Sequence, residues 1–170
     1  MKNGDVVALH NKHHIRIVRL TNGCVDAKGG CCEKEELPLY WVSEQFVAVK
    51  PDRSAFPAES LFSFYSISHR RFIRVDSENK AVLAGPEKRL SNRIDIEEVF
   101  DVVEIKKTFD GSVIALRSPL TATYMRMTGA CIDMQGIVPS SWEFLQVKML
   151  QPADEGSSVD SVEAVVVDSK

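Results

Sequence analysis

Four blocks of residues recur in the same order three times along this chain, and no other feature restricts its fold as strongly. The first block is Val6-Val7-Ala8-Leu9-His10-Asn11, matched by Leu61-Phe62-Ser63-Phe64-Tyr65-Ser66 and by Val113-Ile114-Ala115-Leu116-Arg117-Ser118. The second is His14 to Leu20, matched by His69 to Val75 and Thr121 to Met127, with Arg19, Arg74 and Arg126 in register. The third is Val25-Asp26-Ala27, Val82-Leu83-Ala84 and Ile132-Asp133-Met134, with Gly29, Gly85 and Gly136 beyond as turn residues. The fourth runs through Phe46, Phe100 and Phe144. Leu9, Phe64 and Leu116 set the repeat offsets at 55 and 52 residues.

Inside these blocks β-branched and aromatic residues alternate with small or polar ones, and Gly, Asn, Ser, Asp and Pro separate the runs. Arg93 to Lys107 is the one tolerable helical window. It fits the fourth strand of the second copy equally well, with a short helical turn at Asp95 to Glu98. Three four-strand units make twelve short strands, for which a β-trefoil is the natural all-β solution, because closure leaves no unpaired edge. The expected core holds Leu9, Ile17 or Val18, Val25 and Phe46, then Phe64, Phe72 or Ile73, Val82 and Phe100. The third copy adds Leu116, Tyr124 or Met125, Ile132 and Phe144. Length excludes a six- or seven-bladed propeller, and a solenoid calls for a shorter period. An immunoglobulin-type sandwich is the structural alternative, though Cys24, Trp41 and Cys131 do not supply its usual arrangement.

Val7-Ala8-Leu9-His10-Asn11, His14 to Leu20, Val25-Asp26-Ala27 and Glu44-Gln45-Phe46-Val47 resemble the fascin-like β-trefoil repeat, which reads V-A-L-x-S, G-x-Y-L, V-x-A and E-x-F-x-V. Glu98-Val99-Phe100 repeats the last block, and Trp142-Glu143-Phe144 departs from it. The resemblance covers about residues 4–150. It implies binding without catalysis, since fascin-like trefoils include actin-bundling proteins, histidine-rich actin-binding proteins and agglutinins. Fascins carry four trefoils and this chain has one. Its 4 histidines are too few for the histidine-rich branch. The Q-x-W motif of ricin-type sugar-binding trefoils is missing too, because Leu39 and Ser140 precede Trp41 and Trp142 at the glutamine position.

The 170 residues suit one domain, expected over 1–151 with repeats at about 4–50, 59–106 and 111–150. With 21 Lys+Arg against 24 Asp+Glu, the whole-chain field announces neither nucleic acid nor an anionic membrane. No apolar stretch is long enough for a signal peptide or a membrane span, so a cytoplasmic protein is expected. Phe72 and Tyr65 interleave with Arg70, Arg71 and Arg74 in the manner of a base-stacking platform, but strand periodicity turns Phe72 inward. Cys24, Cys31, Cys32 and Cys131 have no disulfide or zinc spacing and are expected to stay reduced. His10, His13 and His14 suggest a metal site. On a hairpin, however, His13 and His14 point to opposite faces, so exposed histidines and no metal are expected. No catalytic triad order, phosphate-cradling loop or metalloprotease helix is present, and no cofactor is expected. Glu33-Lys34-Glu35-Glu36 and Glu97-Glu98 do not suggest paired acid and base roles.

Three residue sets are candidates for binding. The hairpins carrying Lys12, His13, Arg16, His69, Arg70 and Arg71 form a basic surface suited to an acidic protein, or are simply wet turns. Arg19, Arg74 and Arg126 form a pseudo-symmetric anion set, or else lie over loops and pair with Asp26, Asp133 or a nearby glutamate. Trp41, Trp142, Asp26 and Asp133 would serve a sugar through stacking and hydrogen bonds. Residues 152–170 read as a disordered acidic tail of net charge -4, leaving the body at +1. Within it Val162 to Asp168 resembles a SUMO-interaction motif. The expected function is therefore an intracellular, non-enzymatic scaffold for a protein such as actin. A lectin is the alternative, and a protease inhibitor using the Gly29 to Pro38 loop is a further one.

Overall fold

The computed structural model describes residues 1–27, 41–109 and 111–153. The expected short alternating runs become strands: β1 (Val6–Asn11), β2 (Arg16–Ile17), β3 (Arg19–Leu20), β4 (Val25–Asp26), β5 (Phe46–Val49), β6 (Leu61–Ser66), β7 (Arg71–Val75), β8 (Val82–Ala84), β9 (Phe100–Thr108), β10 (Gly111–Arg117), β11 (Tyr124–Thr128), β12 (Cys131–Gly136) and β13 (Leu145–Gln151). The described residues contain no α-helix. The helical turn expected at 95–98 is a single 3₁₀ turn, Ile96–Glu98, and Val42–Glu44 forms its counterpart in the first copy. The fold class is all-β. The described residues form thirteen strands rather than twelve because the second block of the first copy breaks into β2 and β3 at Val18, whose N–H donates to the Leu9 carbonyl at 2.9 Å.

Six strands pair in an antiparallel cycle: β1 with β5, β5 with β6, β6 with β9, β9 with β10, β10 with β13, and β13 back to β1. Each partner satisfies the backbone row that an edge would expose. Of the remaining strands, β2 pairs with β1 and the other six form hairpins β3–β4, β7–β8 and β11–β12. These hairpins meet one another: Ala81 bridges Asp133, the Ala27 N–H reaches the Ala130 carbonyl at 3.0 Å, and the Met134 N–H reaches the Lys80 carbonyl at 2.8 Å.

One apolar cluster collects the repeat-related residues Leu9, Phe64 and Leu116, then Val18, Ile73 and Met125, then Val25, Val82 and Ile132. Phe46 and Phe100 join it, but their third counterpart is Leu145, not Phe144, which is only half-buried. The correct register is Glu143-Phe144-Leu145, aligned with Glu44-Gln45-Phe46 and Glu98-Val99-Phe100. It follows from burial of all three glutamates. The phenylalanine rings do not set this register; the carboxylates do, with Glu98 and Glu143 accepting the N–H of Asp95 and Ser140 at 2.9 Å and Glu44 buried at the equivalent place.

The alternatives left open in the second block are decided: Val18, Ile73 and Met125 enter the main core, and Ile17, Phe72 and Tyr124 do not, which corrects the inward placing of Phe72. Phe72 is fully buried on the opposite face, with Tyr65, Val47, Val49 and Leu90. Gly85 and Gly136 are sites of close approach rather than plain turn residues, and Gly136 ends β12. A Cβ on Gly136 would sit 2.8 Å from Glu143 Cγ, and one on Gly85 would sit 3.1 Å from Glu98 Oε1.

The three β1–β2, β6–β7 and β10–β11 hairpins share one special backbone. Ile15, Arg70 and Ala122 have φ of 54°, 52° and 56°, at the same offsets of 55 and 52 residues as the sequence repeat. Non-glycine residues are uncommon in this left-handed region, so three at equivalent positions mark a repeated turn. Asn11, Ser66 and Ser118, also equivalent, are buried at the hairpin bases. Asn11 Oδ1 accepts the His14 N–H at 2.9 Å, and Ser118 Oγ accepts the Thr121 N–H at 3.4 Å.

Candidate functional site

The six basic hairpin residues do not form one free patch. Arg16 Nη1 donates to the Ala27 carbonyl at 3.1 Å and Arg71 Nη1 to the Gly85 carbonyl at 2.6 Å, so both half-buried guanidinium groups tie a hairpin to the end of a third strand. Arg70 pairs with Glu87 at 3.4 Å on the surface. His69 is clamped, with Nδ1 2.9 Å from Asn22 Oδ1 and Nε2 3.0 Å from Ser43 Oγ. This fits a neutral ring that donates from Nδ1 and accepts from the serine hydroxyl. Burial, then the nearby Arg71, holds His69 below the usual histidine pKa. Lys12 and His13 remain exposed.

The three related arginines do not converge on an anion. Arg19 makes a two-pronged bond to Asp26, at 2.9 and 3.0 Å, and Arg126 makes the same bond to Asp133, at 3.1 and 2.8 Å. Each pair sits directly opposite across its hairpin. In the second copy Leu83 occupies the place of the aspartate, so Arg74 turns to Glu97 at 3.6 Å. The paired alternative raised for these residues is the observed one, and it also commits Asp26 and Asp133, two of the four sugar candidates.

Trp41 and Trp142 part ways. Trp41 is half-buried against Ala8 and Ile17. Trp142 is 42% exposed and lies beside the first hairpin, its ring 5.9 Å from His14 and 6.0 Å from the Arg126 guanidinium. Asn11 places it: Nδ2 lies 3.1 Å from the carbonyls of Ser141, Trp142 and Phe144. His13 then meets His14 edge-to-face at 4.8 Å. The expectation that these two histidines point apart fails because 12–15 is a turn, in which strand alternation does not apply.

Residues from all three candidate sets thus meet at one junction: Lys12 and His13, with His14, of the first hairpin, and Trp142, Arg126 and Asp133 of the third copy. Ile15 is 42% exposed in the same hairpin. Ile137 and Val138, 83% and 72% exposed, occupy the connection that carries Trp142. Sequence reading missed these apolar residues. Their only signal is two aliphatic residues outside any matched block. It also missed His10, expected to be exposed; the ring is buried, and burial with Lys148 and Lys12 nearby lowers its pKa to about 4.

Tyr65 and Phe72, the pair that suggested base stacking, are both fully buried. Among the described residues no group of three His, Cys, Asp or Glu side chains could hold a metal ion, and no helix is long and apolar enough to cross a membrane. Cys24 and Cys131 are free thiols. Cys31, Cys32, Leu39, the loop Gly29 to Pro38, the run Glu33 to Glu36 and the Val162 to Asp168 motif lie outside the described residues. No protein-family model matches the chain, and no curated protein sequence matches it.

Proposed function

We propose that this chain is a fascin-like β-trefoil that acts as a non-catalytic binding module, docking a protein partner at the junction of the first hairpin and Trp142. The cyclic strand pairing, the three left-handed hairpin residues and the three buried glutamates support the trefoil reading. One arrangement supports the docking surface: Trp142, Ile15, Ile137 and Val138 expose apolar surface where Arg126, Lys12 and His13 supply a polar border. A tryptophan with aliphatic neighbours inside a charged rim is the composition of a protein interface. An actin-type partner, implied by the fascin resemblance, presents the acidic surface that Lys12 would meet.

Cosedimentation with filamentous actin tests the proposal directly. The intact chain should pellet with filaments, Trp142→Ala with Ile137→Ser should lose binding, and Arg70→Glu should keep it, because Arg70 already pairs with Glu87. Equal binding by all three overturns the site. A glycan is the second reading, favoured by the half-exposed Trp142 ring next to the polar Arg126, Asp133 and Gln135 side chains. In that case filaments do not capture the chain, and free sugar rather than salt releases it from immobilised glycoproteins.

A further inference from the structure

A second concavity lies away from the Trp142 junction, between the connection that follows β5 and the loop that precedes the Ile96–Glu98 turn. It encloses about 830 Å³. Half-buried Phe56 and Ile94 give it a small apolar area in front of the closed core residues Val49 and Leu90, and Lys50 and Arg93 place cations on its lining. The one acid there, Asp52, is engaged by its own turn, its Oδ1 accepting the Ser54 N–H at 2.9 Å. Lys50 is positioned by Phe62, whose ring centre lies 3.8 Å from Nζ, and by the Glu59 carbonyl. Arg93 enters no ion pair with a described side chain. Its loop is nonetheless held, because Lys88 Nζ donates to the Arg93 carbonyl at 3.0 Å and the Tyr65 hydroxyl to the Lys88 carbonyl at 2.9 Å.

The described chain finishes at the rim of this cleft. The Ala153 N–H donates to Asp5 Oδ1 at 2.9 Å, and Ala153 Cβ lies 3.2 Å from where a Cβ on Gly4 would stand. The neighbouring Asn3 lines the cleft, and its Oδ1 accepts the Lys50 N–H at 2.7 Å. Residues 154–170 begin there. They carry five acids against Lys170, and Val162, Ala164, Val165, Val166 and Val167 are aliphatic.

We propose that the 154–170 segment docks in this cleft, with its valines against Phe56 and Ile94 and its carboxylates toward Lys50 and Arg93. Charge and surface chemistry match on both sides, and a seventeen-residue segment spans up to about 55 Å extended, far beyond what the cleft requires. The tether at Ala153 sets an effective concentration in the millimolar range, so weak contacts suffice. Docking of this kind occupies the cleft until a partner with a similar acidic, aliphatic sequence displaces the segment.

Amide NMR of the full chain at low salt tests this. Val165→Asp with Val166→Asp should shift the amides of residues 49–55 and 90–94, although neither substitution touches the folded body. Arg93→Glu, or high salt, should move the 160–168 amides to random-coil positions. If Arg93→Glu fails to fold, the valine pair still decides the matter. Valine-pair shifts confined to residues 160–170 overturn the proposal, and so do cleft shifts that vanish on dilution, which would make the occupant a second copy.

Discussion

Lys88 is the most exacting test of how the fold positions its loops. Its ammonium has three donors and three acceptors: Glu98 Oε2 at 2.7 Å, Asp95 Oδ2 at 3.2 Å and the Arg93 carbonyl at 3.0 Å. Glu98 is fully buried and the Lys88 side chain is 10% exposed, so water does little to screen the pair. The same Glu98 oxygen accepts the Asp95 N–H at 2.9 Å, which closes the 3₁₀ turn. Lys88→Met keeps an unbranched apolar side chain and deletes the ammonium, whose Nζ also lies 5.5 Å from the Phe72 ring centre. Glu98 is then a buried carboxylate without its counter-ion. Breaking such a pair costs about 3–5 kcal/mol, and the residual exposure of Lys88 argues for about 3. For a domain of this size that is a fall of about 6–12 °C in Tm. Glu98→Gln retains the bond to Asp95 and should cost about 1–2 kcal/mol. The double variant, with neither charge left, should be more stable than the sum of the two losses by about 2 kcal/mol. Urea unfolding with an unchanged m-value measures all three. A Lys88→Met loss below about 1 kcal/mol, or strict additivity, would refute a desolvated, coupled pair.

Other consequences are equally direct. His10 is buried neutral with its pKa lowered to about 4, so the unfolded chain takes up a proton through the normal range near 6.5 that the folded chain refuses. Stability is full above that range and lost as pH falls toward 4; between pH 7 and 5 the loss is about 2 kcal/mol, and urea midpoints of His10→Leu should lack most of it. Asn11→Ala strips the first hairpin of bonds to Ser141, Trp142, Phe144 and His14, and should cost about 2–3 kcal/mol with a red shift in tryptophan emission. Arg126→Ala removes an ion pair that is roughly a quarter exposed, so calorimetry should show a loss of about 0–1 kcal/mol. Gly136→Ala forces a Cβ onto the Glu143 side chain and should destabilise by about 1–3 kcal/mol in the same assay.

Strand identity and the threefold plan were legible because both are written in local periodicity: alternation fixes a strand, and equal offsets fix equivalent strands. Offsets of 55 and 52 residues reappear as three left-handed residues, although nothing about Ile15, Arg70 or Ala122 as residue types announces a positive φ. The inward set was legible only to within one residue. Ile17 and Val18, Phe72 and Ile73, and Tyr124 and Met125 are all adjacent apolar pairs, and the only local sign of which member points to the centre is the arginine two places after the first of each, Arg19, Arg74 and Arg126, which shares that member's face by alternation. The Phe144 misalignment has a related cause, since a ring is conspicuous in sequence and a buried carboxylate is not.

What the sequence by itself determined is an all-β chain of three like units, and which arginines and first, second and third strands correspond among them. Tertiary structure alone decided what each of those groups is free to do. Arg19 and Arg126 became ion pairs because an aspartate stands opposite each across its hairpin, whereas Arg74, with Leu83 opposite, reached another element for Glu97. Trp142 met His14 because β13 closes onto β1, a pairing of residues more than a hundred apart, and Ala153 came to the cleft rim through the same closure. Periodicity records the neighbours within a few residues along the chain; contacts made by closing a sheet depend on all the strands at once, so no single segment encodes them.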